Sequence, residues 1–176
     1  MDYSKIEADS VRGPEIGRLY VEASPFITSL ARYAYRQFAA QVAEQYRELV
    51  KEVVVRFSEE DPYASAEEMF RDVRKGFLAV YATPEGQRHP LLALRENDMF
   101  RAVHDYYGHF LSGRDFSRHG EEAAWVRHSQ MFSGLAQRAM TTETRGQTSA
   151  LCWITTPEFP EQKGILLPDW VSRIPE

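Results

Sequence analysis

The chain has 176 residues, enough for one domain with a core of its own. It carries 21 lysines and arginines against 26 aspartates and glutamates, a net charge of −5. That balance argues against broad binding to nucleic acid, which needs a basic surface. A single cysteine, Cys152, excludes an internal disulfide.

Residues 1–24 are polar, with Gly13-Pro14 as a breaker, and are expected to form an extended N-terminal arm ahead of one globular domain at 25–176. The first residues lack the basic start and apolar run of a signal peptide. No apolar stretch approaches the roughly 18 residues of a membrane span. A soluble protein of the cytoplasm is expected, with no membrane partner.

Apolar positions Ile27, Leu30, Ala34, Phe38, Val42 and Tyr46 recur at helical spacing, which predicts a long helix over about 25–51. The β-branched run at 53–57 reads as a strand. Ser65 with Glu68 fits a capping box ahead of a short helix that Gly76 ends. The segment FLAVYAT at 77–83 reads as a second strand. Strand, helix and strand in so few residues form a βαβ unit, so the two strands are expected to be parallel. A loop at 84–90, a helix over about 96–111, a loop at 112–120 and a helix over 121–140 follow. Residues 143–154 are ambiguous between a short helix and a turn, and the Pro-rich tail is expected to wrap the body. The expected class is α+β: a mainly helical single domain with a small two- or three-stranded sheet.

The chemistry concentrates in 97–147, which holds four of the five histidines. On a helix over 96–111, residues about 100° apart put His104 and Asp105 on the edge of the apolar stripe and pair Asp105 with His109 at i, i+4. On the next helix His128 shares a mostly apolar face with Glu121, and Glu122 points about 100° away. Antiparallel packing of the two helices brings His104, Asp105, His109, His128 and one of the two glutamates together. Neutral imidazole and carboxylate suit a divalent metal, Zn, Mn or Fe, and a metal with an open position lowers the pKa of bound water. His104, Asp105, His109 and His128 are therefore the expected ligands. Glu122 and Glu143 are the expected base or further ligand. Arg101, Arg145 and Gln147 are expected to hold the substrate, the arginines gripping its anionic part.

The pattern predicts a metal-dependent hydrolase acting on a phosphorylated or nucleotide-like small molecule. One alternative is a non-haem iron oxygenase with the same ligands. The other is a non-catalytic accessory protein that binds a host protein, in which the polar cluster only fixes the core.

Two resemblances attach to these residues. His104-Asp105 followed by Gly108-His109 is similar to the His-Asp motif of HD-domain phosphohydrolases, over six residues. That family also places a histidine on an earlier helix, where this chain has only His89 in a loop, and a later aspartate, where it has Asp169. A longer resemblance rests on HPLL at 89–92, NDMFRAVHDYYGH at 97–109, GEEAAWVRHSQM at 120–131, TTETRGQ at 141–147 and EQKGILLP at 161–168. Together these look like a domain of phage and mobile-element "polyvalent" proteins, over roughly 53–170. TSALCW at 148–153 departs from the Asn-Ser-Trp run expected there. The resemblance implies a phage or prophage origin, hence a bacterial host cytoplasm, and an enzyme-like residue set without naming a reaction.

Overall fold

The computed structural model describes residues 1–174. The mainly helical α+β architecture is as expected, and its sheet is the small βαβ unit. Strand β1 (Val54–Ser58) pairs in parallel with β2 (Phe77–Tyr81), in register from Val54 opposite Phe77 to Ser58 opposite Tyr81. Helix α3 (Ala66–Val73) makes the crossover and buries Ala66, Met69, Phe70 and Val73. Gly76, at φ +81°, turns the chain from α3 into β2 in a backbone region that suits only glycine well. In the capping region Glu68, rather than Ser65, supplies the bond, accepting from the Ala64 amide at 3.0 Å.

The long helix α2 (Ser29–Glu52) is the spine. Thr28 caps it by accepting from the Ala31 amide at 3.1 Å. Its apolar stripe, Ala34, Tyr35, Phe38, Val42 and Leu49, is almost completely buried. It packs against α4 (Leu94–Val103) and α6 (Gly134–Thr141). Between these, α5 (Arg118–Ser129) carries the fully buried Trp125.

Three expectations are corrected. Residues 12–22 are not an extended arm: α1 (Arg12–Glu22) is helical and buries Ile16, Gly17 and Tyr20. Gly13-Pro14 falls in the first turn, where proline's missing N–H goes unused, so the pair does not break the helix. The predicted helix 121–140 is two, α5 and α6, parted at Gln130–Ser133. The ambiguous stretch is helical: α6 runs through a π-type segment, Thr142–Gly146, into α7 (Gln147–Ala150) and a second such segment, Leu151–Thr155.

The tail wraps the body, as expected. Ile165, Leu167 and Val171 join Ile16 and Tyr20 of α1 and Ala150 of α7 in a second apolar cluster. Lys163 closes the C-terminus of α1, its ammonium donating to the carbonyls of Tyr20, Val21 and Ala23 at 3.1, 2.7 and 2.8 Å. A cation on the last turn's unpaired carbonyls opposes the negative end of the helix. Among the described residues no helix is long and apolar enough to cross a membrane.

Candidate metal centre

The predicted helix over 96–111 is present, but it changes form midway. After Val103 the chain enters a π-type segment, His104–Phe110. Its bonding spans five residues: the Leu111 amide donates to Tyr106, and the Arg114 amide to His109. Such geometry stacks residues five apart, where an α-helix stacks those three or four apart. His109 therefore lies over His104, ring centroids 5.1 Å apart. The expected i, i+4 pairing of Asp105 with His109 gives way to an i, i+5 pairing of the two histidines. Gly108 makes room, because a Cβ there would stand 3.1 Å from two atoms of the His104 ring.

Helix α5 packs on this segment and supplies Glu121. His109 Nε2 lies 3.5 Å from Glu121 Oε1, and His104 Nε2 lies 3.8 Å from Oε2. One ligand atom from each of His104, His109 and Glu121 falls within 4.8 Å of the other two, a grouping that can hold a metal ion.

Hydrogen bonds set which imidazole nitrogens carry lone pairs. The Gln45 amide nitrogen donates to the Met131 carbonyl at 3.4 Å, which orients the Gln45 oxygen to face His128 Nε2 at 2.7 Å. His128 must then donate from Nε2, so its Nδ1 is an acceptor. His104 Nδ1, 3.1 Å away, donates to that nitrogen. The His104 lone pair is thereby placed on Nε2. Independently, His109 Nδ1 faces the Arg114 carbonyl at 3.1 Å and donates to it, so that in the neutral ring the lone pair falls on Nε2 as well. Both Nε2 atoms converge on a carboxylate. His104 Nε2 is buried and has no hydrogen-bond partner among the described residues. Imidazoles oriented through their second nitrogen toward a shared carboxylate are what a metal site requires. The chain's own residues therefore fit a divalent cation.

Electrostatics follow from burial and from this grouping. Burial depresses the His104 imidazole, only partly opposed by Glu121. Burial also works against charge on His109, but the Glu121 carboxylate, helped by Asp105, lifts it to about 9. Despite its burial, Glu121 is held well below the usual carboxylate range by His109 and His104. Asp105 is pushed up to about 7 by burial, with His109 pulling the other way. His128 is held well below the ordinary histidine value by burial and by His104.

The triad borders a cavity of about 440 Å³. His104, Asp105 and Glu121 line it together with Glu143, Gln147, Asn97, Arg101 and the β2 residue Tyr81. Arg101 donates to the Tyr81 carbonyl at 3.3 Å and lies over its ring.

The predicted ligands divide. His104 and His109 converge, with Glu121 beside them. His128 is not placed to bind metal, because both of its nitrogens are engaged by His104 and Gln45. Asp105 is half-buried on the cavity wall, outside the three-residue group. Both predicted bases are already engaged. Glu122 pairs bidentately with Arg145, at 3.1 and 2.6 Å. Glu143 accepts from the Tyr35 hydroxyl, from His89 Nε2 at 3.2 Å and from the Gln147 amide at 2.5 Å. His89 must donate from Nε2, because its Nδ1 accepts the Leu91 and Leu92 amides at 3.0 Å each. Arg145 does not face the cavity: its guanidinium lies over the Trp125 ring, holds Glu122 and donates to the Val171 carbonyl. The bidentate grip expected for a substrate falls on the chain's own carboxylate. Gln147 does line the cavity.

Gln45, Tyr35 and Asp61 are the contributors that sequence reasoning missed. The first two sit in the long α2, where nothing in their spacing separates them from ordinary helical positions. Asp61 sits in a loop and reaches the cavity only through tertiary packing. No family model matches the chain, and neither the curated proteins nor the solved structures include a match to it.

Proposed function

We propose that the chain is a metal-dependent hydrolase. In this reading His104, His109 and Glu121 hold a divalent cation, Zn, Mn or Fe, and a phosphorylated, nucleotide-like substrate occupies the adjoining cavity. The observation that carries it is the convergence of two imidazole Nε2 atoms, each oriented by a hydrogen bond at the ring's other nitrogen, on one half-buried carboxylate. A cation on those atoms supplies Lewis-acid polarisation of a substrate oxygen and a water of lowered pKa. Arg101, the only guanidinium in the cavity lining among the described residues, pairs with the anionic part of the substrate. Asp105, lining the same cavity, would serve as the base for a water held by the cation. Glu143 and Gln147 line it too. The long resemblance over 53–170 supports a phage or prophage setting.

A face of two imidazoles and one carboxylate also suits Fe(II) with positions left for oxygen. The aromatic side chains of the cavity, Phe100, Phe116 and Phe159 among them, favour the iron oxygenase as the second reading.

Calorimetric titration with Zn, Mn and Fe(II), followed by phosphate-release assays on nucleoside phosphates, tests the proposal. One metal per chain is expected, lost in His104→Ala and in Glu121→Gln, with phosphate release that needs the metal. Iron binding with oxygen uptake and no phosphate release replaces the hydrolase by the oxygenase. Protein that binds none of the three metals, and whose variants differ only in melting temperature, overturns both and leaves a non-catalytic accessory protein.

A further inference from the structure

The cavity lining carries polar groups that the proposed hydrolysis does not use. Glu143 is a buried carboxylate with three donors already on it. A carboxylate offers about four acceptor positions, so one remains. Gln162, from the tail, lines the same cavity, and its amide oxygen is buried with no hydrogen-bond partner among the described residues. An orphaned buried acceptor costs free energy unless something donates to it. Both groups therefore ask for N–H or O–H donors.

The cavity also has an apolar rim. Phe116, from the loop before α5, and Phe159, from the tail, are 41% and 61% exposed, and both contribute to this cavity. Large rings left partly in solvent on two separate segments of one cavity's lining suit a flat partner that stacks on them. The third feature is charge. Asp61, Asp105, Glu121 and Glu143 line the cavity against Arg101 alone. Such a lining repels any anionic group that is not on Arg101 or the metal, and favours donor-rich, uncharged or cationic groups elsewhere.

We propose that the wall formed by Glu143 and Gln162, with the Phe116–Phe159 rim, is a subsite for an amino-bearing heterocycle. It rests on the hydrolase reading above and deepens it: the substrate's phosphate lies toward Arg101 and the triad, and its base lies here. Carboxylate and carboxamide oxygens accept from an exocyclic amino group, as they do from cytosine N4 and adenine N6. A base with a carbonyl in that position sets oxygen against oxygen and is rejected.

Cytosine and uracil differ at that one position and give the test. Binding of the hydrolysis-resistant 5′-phosphonates of cytidine and uridine, and of baseless ribose 5-phosphate, is measured by calorimetry on metal-loaded protein. The cytidine compound is expected to bind about tenfold or more tighter than the uridine compound, a single charged hydrogen bond's worth. Gln162→Leu is expected to shrink the preference several-fold at unchanged metal stoichiometry, with Glu143 keeping the remainder. Gln162→Glu, which keeps an acceptor, is expected to retain the preference. Equal binding of the two nucleoside compounds, or a preference undiminished in Gln162→Leu, overturns the subsite while ribose 5-phosphate binding leaves the hydrolase reading standing. Metal-loaded protein that binds none of the three overturns the phosphorylated substrate and the subsite together.

Discussion

Gln45→Leu is the sharpest probe of the metal centre, because Gln45 touches neither the proposed metal nor the cavity. Its carboxamide fixes His128 as a donor at Nε2, and His128 fixes His104 as a donor at Nδ1. Leucine fills similar space without the acceptor. The buried His128 N–H is then left unsatisfied, at about 1–3 kcal/mol. For a chain of this length that corresponds to a melting temperature lower by roughly 2–12 °C. The second effect is separable. With the His128 tautomer released, His104 no longer has to present its lone pair at Nε2, and metal affinity falls by about 10–100-fold, the range for outer partners of metal-bound histidines. Gln45→Glu keeps an acceptor and retains most of the affinity even where burying its carboxylate lowers stability. Calorimetric titration with Zn reads the affinity, and imidazole ¹⁵N shifts read the tautomer. Gln45→Leu protein that binds Zn as tightly as the parent refutes the relay from Gln45 to His104.

Three further outcomes are expected. In the metal-free protein His109 is raised from 6.5 to about 9. Its pairing with Glu121 therefore stabilises the fold fully below about pH 6.5 and is lost as pH rises through about 9. A metal must displace the same proton, so Zn affinity climbs about tenfold per pH unit between 7 and 9 and then levels; titrations across that range showing constant affinity contradict the assignment. Gly108→Ala places a methyl 3.1 Å from the His104 ring and 3.3 Å from Ala124 Cβ, so thermal denaturation should show a loss of about 1–3 kcal/mol from overpacking, with weakened metal binding. Arg145→Met leaves Glu122 buried without its partner, which should cost about 3–5 kcal/mol in chemical denaturation; if instead it abolishes substrate binding at unchanged stability, Arg145 belongs to the substrate after all.

Much of the scaffold was legible in the residues. The β-branched run at 53–57, the capping glutamate and Gly76 mark the βαβ unit, and the period of α2 is unbroken. The candidate site was legible as a set of residue types but not as a grouping. A helical wheel assumes one rotation per residue, and the π-type turn at His104–Phe110 changes it, moving His109 from Asp105 to His104. Nor does composition say whom a polar side chain will satisfy. Glu143, Arg145 and Gln147 stand beside an apolar stretch, yet all three bind partners within the chain, Gln147 on Glu143 and the other two on Tyr35, His89 and Glu122 at separations of 23 to 108 residues. Gly13-Pro14 misled because a proline two residues into a helix looks, in one dimension, like a break.

The tail has a consequence for timing. Lys163, Gln162 and Phe159 follow every helix that bears the triad, so a chain emerging from the ribosome carries His104, His109 and Glu121 before it has the strap that seats α1 and walls the cavity. A cation captured early would find its three donors in place, whereas a substrate would meet only half an enclosure. On the proposed reading, synthesis itself separates metal loading from substrate capture, and a nascent chain stalled short of Phe159 should acquire the first without the second.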